Sequence, residues 1–465
     1  MKGKGLGWYY GASVAAFVIA FFAVLHFAPS SASVSKVTET SLFSGVLANL
    51  HSPLGQTLMQ VLVIVVAALG AGALFTRLGQ PAVIGEMAVG LAFGPSVLGS
   101  LLPGVSEFLF PAQSLGSLSI LSQVGILLFL FVIGMELDVR MLQTKAQSTL
   151  LVSHASIIVP FTLGLTAALW LYEPYGGKGA SFIPFALFMG ISMSITAFPV
   201  LARIIKERGL AGTELGNVAI TCAAVNDVTA WTALPFIAAL ARAESVAGCL
   251  LTLALTVVIV FVVIYVMKPL LDRGVKRCAD PANPPKSLTV VVFASVFACA
   301  LATETAGIHA LFGAFIAGVA MPRHDEFRAY LRLRIEYFST LFLVPIFFAF
   351  TGLRTEIGLL SGATDWLVCL LLLTLAVVGK FGGSAMAARA CGMSWRDSSA
   401  LGALMNTRGL IELIALNLGL DLGVLSPKIF AMLVLMALVT TFMTGPVINM
   451  LGVGRMTSVE PDGVA

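Results

Sequence analysis

The chain has 465 residues, 58% of them hydrophobic and only 11% charged, with a formal net charge of +4. Soluble chains run near one quarter charged, so an ordinary soluble protein is excluded, and so small a net charge carries no signal for nucleic acid. Runs of about 20 apolar residues recur along the whole length, each long enough to cross a bilayer, which makes this an all-α polytopic membrane protein.

Met1–Ser33 starts with Lys2 and Lys4, continues through an apolar stretch from Gly11 to Ala28, and ends in Pro29-Ser-Ser-Ala-Ser33. It reads either as a signal peptide or as an uncleaved first helix, and its length favours retention. Thirteen further segments follow, at roughly 56–75, 81–100, 116–136, 148–172, 181–204, 213–241, 246–267, 287–303, 308–320, 336–352, 364–388, 397–419 and 427–450. With the N-terminus in the cytoplasm and sides alternating, 20 of the 27 Lys and Arg fall on the cytoplasmic side. Five (Lys36, Lys178, Arg242, Arg354 and Lys428) fall outside, and Lys380 and Arg408 lie within spans. That asymmetry is what the positive-inside rule asks for, in a bacterial-type inner membrane with 451–465 as a short cytoplasmic tail. No soluble domain is expected beyond it. The cysteines at 222, 249, 278, 299, 369 and 391 have no metal-like spacing and are expected as free thiols.

The thirteen segments divide as six, one and six: 56–241 as a first repeat, 246–267 as a linker helix, and 287–450 as a second repeat. An odd number of spans from one repeat to the next turns the second upside down, which is the arithmetic of an inverted-repeat transporter. Each half carries an interruption in its fifth helix. In the first, Ser192-Met-Ser-Ile-Thr-Ala-Phe-Pro199 puts hydroxyls and a proline mid-span; in the second, Asn406-Thr-Arg-Gly409 puts polar residues and a glycine there. Two such discontinuous helices, if they cross, need countercharges at the crossing and offer oxygen ligands for a cation.

The sixth helix of the first repeat holds Thr221–Trp231, TCAAVNDVTAW, with Asp227 near the middle of its apolar run. A carboxylate at that depth costs about 3 kcal/mol or more unless something binds it, and such residues mark ion or proton pathways. Asn226 beside it adds an amide but no second charge. Ser194 and Thr196 are candidate oxygen ligands for a hard monovalent cation, and the alternative for both is back-bonding to carbonyls freed at the kink. Lys380, flanked by Gly379, Gly382 and Gly383, is a candidate countercharge or coupling group. Arg408 and Glu412, four residues apart, are expected to form an ion pair closing the second break. Glu86 is open between gating an aqueous funnel and pairing with a basic neighbour. No metal cluster, cofactor site or hydrolase, protease or ATPase motif is present in the sequence, so an enzyme is not expected.

Gln80-Pro-Ala-Val-Ile-Gly-Glu86 with Gly94-Pro-Ser-Val-Leu-Gly99, Thr196-Ala-Phe-Pro-Val-Leu-Ala-Arg203, Val225-Asn-Asp-Val228 and Asn406-Thr-Arg-Gly-Leu-Ile-Glu-Leu413 together resemble the monovalent cation:proton antiporter superfamily. They are most similar to its second branch, which holds plant cation/H⁺ exchangers and bacterial sodium or potassium/proton antiporters. The resemblance covers residues 55 to 450. It implies thirteen core helices, a six-helix transport unit, a dimerisation scaffold and so a homodimer in lipid, and elevator-like alternating access. It also implies that Asp227 is the shared cation and proton site. Two departures stand out. Electrogenic relatives have a second Asp where this chain has Asn226, and potassium-efflux relatives carry a nucleotide-binding regulatory domain that is not expected here.

The expected function is secondary antiport of Na⁺ or K⁺ against H⁺, and electroneutral exchange is favoured because Asn226 cannot ionise. Lys380 is the complication, since a buried lysine able to give up a proton would make the cycle voltage-dependent. The rivals are a gated cation channel, which needs a continuous file of ligands, and a sodium-coupled solute symporter, which needs polar groups for an organic substrate.

Overall fold

The computed structural model describes residues 49–50, 52–136, 147–242 and 246–453. The stretch 1–33 and most of the 451–465 tail lie outside them. The chain divides into two compact units, Met1–Gln56 and Thr57–Ala465. Of the first, only the start of one helix is described; all the other helices belong to the second.

The described residues are helical throughout, with one isolated β-bridge between Gly176 and Leu425. Helix α1 spans Pro53–Arg77 and α2 Ala82–Phe93, the latter stopped by Gly94-Pro95. Then come α3 (Leu115–Glu136), α4 (Gln147–Tyr175), α5 (Phe182–Ser194), α6 (Phe198–Glu207), α7 (Glu214–Arg242) and α8 (Val246–Val262). Besides the short helices Leu98–Leu101, Pro103–Leu109 and Lys268–Lys276, there follow α9 (Lys286–Thr305), α10 (Ala310–Val319), α11 (Asp325–Phe338), α12 (Val344–Leu353), α13 (Ala363–Val377), α14 (Gly383–Ala390), α15 (Trp395–Met405), α16 (Leu410–Asp421) and α17 (Pro427–Met450). Single wide turns of π type, Ser339–Leu343 and Val378–Gly382, join α11 to α12 and α13 to α14 without breaking either rod.

Among the described residues, eleven helical stretches are long and apolar enough to cross a membrane. The chain is therefore an integral membrane protein. The helices overlap all thirteen segments expected from the sequence, yet two fall short as spans. Helix α10 has 10 residues, about 15 Å of rise. The α15–α16 pair is interrupted at Asn406–Gly409. A further difference lies at α11, which begins at Asp325 rather than near 336. Its first turns carry Asp325, Glu326, Arg328, Arg332 and Arg334, so an apolar scan starts too late while the helix continues outward into polar surroundings.

Helices pack most extensively within two groups: α2, α3, α9, α10 and α12 in one, and α4 to α7 with α13 to α17 in the other. Without a hydrophobic drive in lipid, close approach through small residues holds such groups together. At the α2–α12 crossing, a Cβ on Gly90 would stand 2.2 Å from Phe348 O, and one on Gly352 would stand 1.9 Å from Gly90 O. At the α3–α10 crossing the same holds for Gly134 against Phe315 O (2.3 Å) and Gly318 against Phe131 O (2.2 Å). These contacts tolerate no side chain, so the first group is fixed backbone to backbone.

Candidate cation site at two crossed helix breaks

Helix α5 stops at Ser194, and the chain runs extended from Ile195 to Ala197 before α6 starts at Phe198. Pro199 explains the stop. It offers no N–H to the preceding turn and its ring would clash with the carbonyl four residues back, yet it suits the first turn of a new helix. At the second break, α15 ends at Met405 and α16 begins at Leu410. The two interruptions meet. Ala197 N–H donates to Thr407 O (3.0 Å), and Thr196 Oγ1 donates to Met405 O (2.9 Å). Gly409 lets them close, because a Cβ there would sit 2.9 Å from Val200 Cγ2.

A broken helix leaves carbonyls without partners at its C-terminal stub, where the helix dipole is negative. Two buried cations take up those of α5. Arg408 Nη1 donates to Ser192 O (2.5 Å) and Nη2 to Met193 O (2.8 Å), while Lys380 Nζ donates to Ser194 O and, at 2.9 Å, to Ser156 O of α4. Lys380 sits on the π turn between α13 and α14 and is fully buried. Arg408 also pairs with Glu412 at 3.1 Å, both side chains fully buried. The ion pair expected from the four-residue spacing thus forms, and it shares its arginine with the stub of the other broken helix.

Asp227, on α7, is 2% exposed, and neither carboxylate oxygen has a hydrogen-bond partner. It lies near the Phe198 N–H, at the N-terminus of α6, without closing a hydrogen bond to it, and within electrostatic reach of Lys380 without forming an ion pair. A helix N-terminus is a favourable neighbour for negative charge. Burying a carboxylate that closes no hydrogen bond or ion pair is costly, so a site built this way is suited to binding something positive.

Asn226 is oriented by a network. Its Nδ2 donates to Ser156 Oγ (3.1 Å) and Thr196 Oγ1 (3.0 Å), whose own protons go to Ser153 O (2.7 Å) and Met405 O. The amide therefore ties α7 to α4 and to both breaks. Ser194 Oγ donates back to Gly190 O (2.8 Å), the back-bonding alternative raised by the sequence. Glu86 is not part of the cluster: it is half-buried on α2, with Arg203 of α6 as its charged neighbour, and Arg203 itself pairs with Glu207 at 2.8 Å. Ser156 was missed by sequence reasoning, although the Ser153-His-Ala-Ser156 run was a visible polar patch in an apolar helix. Thr441, which accepts from Arg408 N–H at 2.9 Å, was missed as well.

Two cavities lie near the site. One, of about 440 Å³, is lined by Glu136, Asp325, Arg328, Arg332 and Phe198, the residue whose N–H lies near Asp227. The other, of about 600 Å³, is apolar and lined by Trp231, Phe236, Val260, Phe312 and Phe315 among others. On the face where α12 and α16 end, Arg354 bonds Asn417 (3.1 Å) and Asp421 (2.5 Å), and the space between them is about 30 Å³. The described cysteines form no disulfide.

Comparison with known proteins gives one account. The family model described as "Sodium/hydrogen exchanger, transmembrane" matches residues 61–454. The Na⁺/H⁺ antiporter NhaS4 of Synechocystis sp. is 40% identical over 84% of this chain and 96% of its own. The Cation/H⁺ antiporter 19 of Arabidopsis thaliana is 38% identical over 85% of this chain, and the K⁺/H⁺ antiporter 1 of Saccharomyces cerevisiae 33% over 90%; this chain spans about half the length of each (49% and 50%). The fold is similar to that of the sodium proton antiporter MjNhaP1 of Methanocaldococcus jannaschii, with a TM-score of 0.61, 12% identity, and coverage of 86% of this chain and 98% of the other. The chain belongs to the sodium/hydrogen exchanger family of transmembrane proteins.

Proposed function

We propose that this protein exchanges a monovalent cation, Na⁺ or K⁺, for H⁺ across the membrane, with Asp227 as the one group for which cation and proton compete. The observation that carries the proposal is the Asp227 carboxylate, fully buried and unpartnered beside two crossed helix breaks. An empty charged carboxylate at that place is unfavourable, so the site crosses between faces loaded with one ion or the other, and that restriction is what couples the two fluxes. Asn226 and Thr196 fix the geometry around it and, with Ser194 and the extended backbone of 195–197, supply oxygen near the carboxylate. Lys380, Arg408 and Glu412 serve as countercharges to the broken ends. Glu86, outside the cluster, is assigned to the polar approach on the Arg203 side.

The wider architecture proposed is thirteen spans, as two inverted six-helix repeats (56–241 and 287–450) around the 246–267 linker. In it α10 and the α15–α16 pair are the short and broken spans that complete the count. The two packing groups correspond to a scaffold, through which two copies pair as a homodimer, and a transport unit that moves against it. The Arg-rich face, with the 440 Å³ cavity, is placed in the cytoplasm of a bacterial-type cell together with the C-terminus.

Exchange is expected to be one for one. Asn226 cannot ionise, and Lys380 donates to two backbone carbonyls, Ser156 O and Ser194 O, the latter at the negative end of α5, a setting that favours its ammonium form. The test is cation-driven proton flux in liposomes with the membrane potential clamped at several values by an ionophore that carries none of Na⁺, K⁺ or H⁺. An end-point independent of voltage is expected. A voltage-dependent end-point that becomes independent in Lys380→Gln would assign the second proton to this lysine and overturn electroneutrality.

A further inference from the structure

We propose that Trp231 is the seal that keeps Asp227 from being reached from both faces at once; the inference rests on Asp227 being the exchange site. Asp227 and Trp231 are four residues apart on α7 and so share one face of that helix, one turn apart. The charged cavity lined by Glu136, Asp325, Arg328 and Arg332 includes Phe198, whose N–H lies near Asp227. Towards Arg242 lies the apolar cavity of about 600 Å³, and Trp231, not Asp227, forms its wall. The indole is 3% exposed, stacked on Phe315 (ring centroids 5.4 Å apart, planes at 26°) and edge-on to Phe312 (5.9 Å, 69°).

Those two phenylalanines are on α10, which is clamped to α3 by the Gly134–Gly318 crossing, so the surface that meets Trp231 belongs to the fixed packing group. Trp231 belongs to the same helix as the carboxylate. The stack is therefore a contact between the element that carries the ion site and the element that does not move with it. A cavity of 600 Å³ one turn beyond a buried carboxylate would let protons or water cross if the ring were removed. One further detail selects the ring rather than its polar edge: Trp231 Nε1 is buried and makes no hydrogen bond. An indole whose only polar atom makes no hydrogen bond acts here through its aromatic area and shape.

The test is proton leak through purified protein in liposomes that hold a pH gradient, followed by exchange after Na⁺ or K⁺ is added. Trp231→Ala is expected to raise the leak severalfold and to lower the number of cations moved per proton. Trp231→Phe should keep the leak at the wild-type level, since the indole N–H bonds to nothing. Phe315→Ala, which removes the other half of the stack, should leak like Trp231→Ala. In both leaking variants the leak should vanish when Asp227→Asn is added, which separates passage through the ion site from general damage by misfolding. Trp231→Ala as tight as wild type, a leak that survives Asp227→Asn, or Trp231→Phe leaking like Trp231→Ala would each overturn the proposal. Wild-type protein that moves no protons on cation addition would defeat the exchange reading instead, whatever the Trp231 variants do.

Discussion

Asp227→Asn is expected to abolish cation-dependent proton movement while the protein remains folded. The substitution keeps the shape and removes the only charge the site offers a cation. It also removes the only proton acceptor on α7 between Glu214 and the helix end. Folding should survive because the carboxylate makes no hydrogen bond that an amide would lose, and a neutral amide is cheaper to bury than a partnerless charge. The predicted signature is a monodisperse protein, at least as heat-resistant as wild type, with no flux above empty liposomes. Near-normal exchange would remove Asp227 from the mechanism.

The opposite pattern, loss of stability first, is expected for Arg408→Leu. Arg408 is fully buried and serves three partners: Glu412 Oε1, Ser192 O and Met193 O. Its removal leaves the buried Glu412 without its ion-pair partner, and breaking a buried pair from one side costs about 3–5 kcal/mol. Two carbonyls at the α5 stub lose their donor in the same step. Adding Glu412→Leu should recover the part due to the stranded charge but not the part due to the carbonyls, so the double variant should fall between Arg408→Leu and wild type. Heating the detergent-solubilised proteins and following loss of monodispersity ranks the three. A double variant no better than the single would mean that Glu412 is not the stranded group.

Much of the site was legible in the sequence because its determinants are local. Pro199 and the Asn406–Gly409 run mark their breaks without reference to any other helix, and a lone Asp227 in an apolar helix is conspicuous on composition alone. The Arg408–Glu412 pair follows from helical spacing. What joins the site together is not local. Thr196 reaches Met405 O across 209 residues, Lys380 reaches Ser194 O across 186, and Asn226 reaches Ser156 across 70. A serine on α4 or a lysine on a π turn announces only that it is polar; which carbonyl it meets is set by how α4, α7 and α13–α14 pack. The same limit applies to Glu86, whose place in a glycine-rich helix resembles that of a site residue until packing puts it beside Arg203 instead. The start of α11 at Asp325 was hidden for a different reason, since apolarity marks where a helix enters the membrane and not where it begins.

The central claim is that one carboxylate serves both ions in turn, and titration of cation affinity against pH on the purified protein tests it most directly. If Na⁺ or K⁺ and H⁺ exclude each other at Asp227, cation affinity falls by about tenfold per pH unit below the titration of that carboxyl, and each cation bound releases one proton. Asp227→Asn should bind no cation at any pH. Cation affinity that stays constant as pH falls through that titration, or cation binding below it with no proton released, would contradict the account.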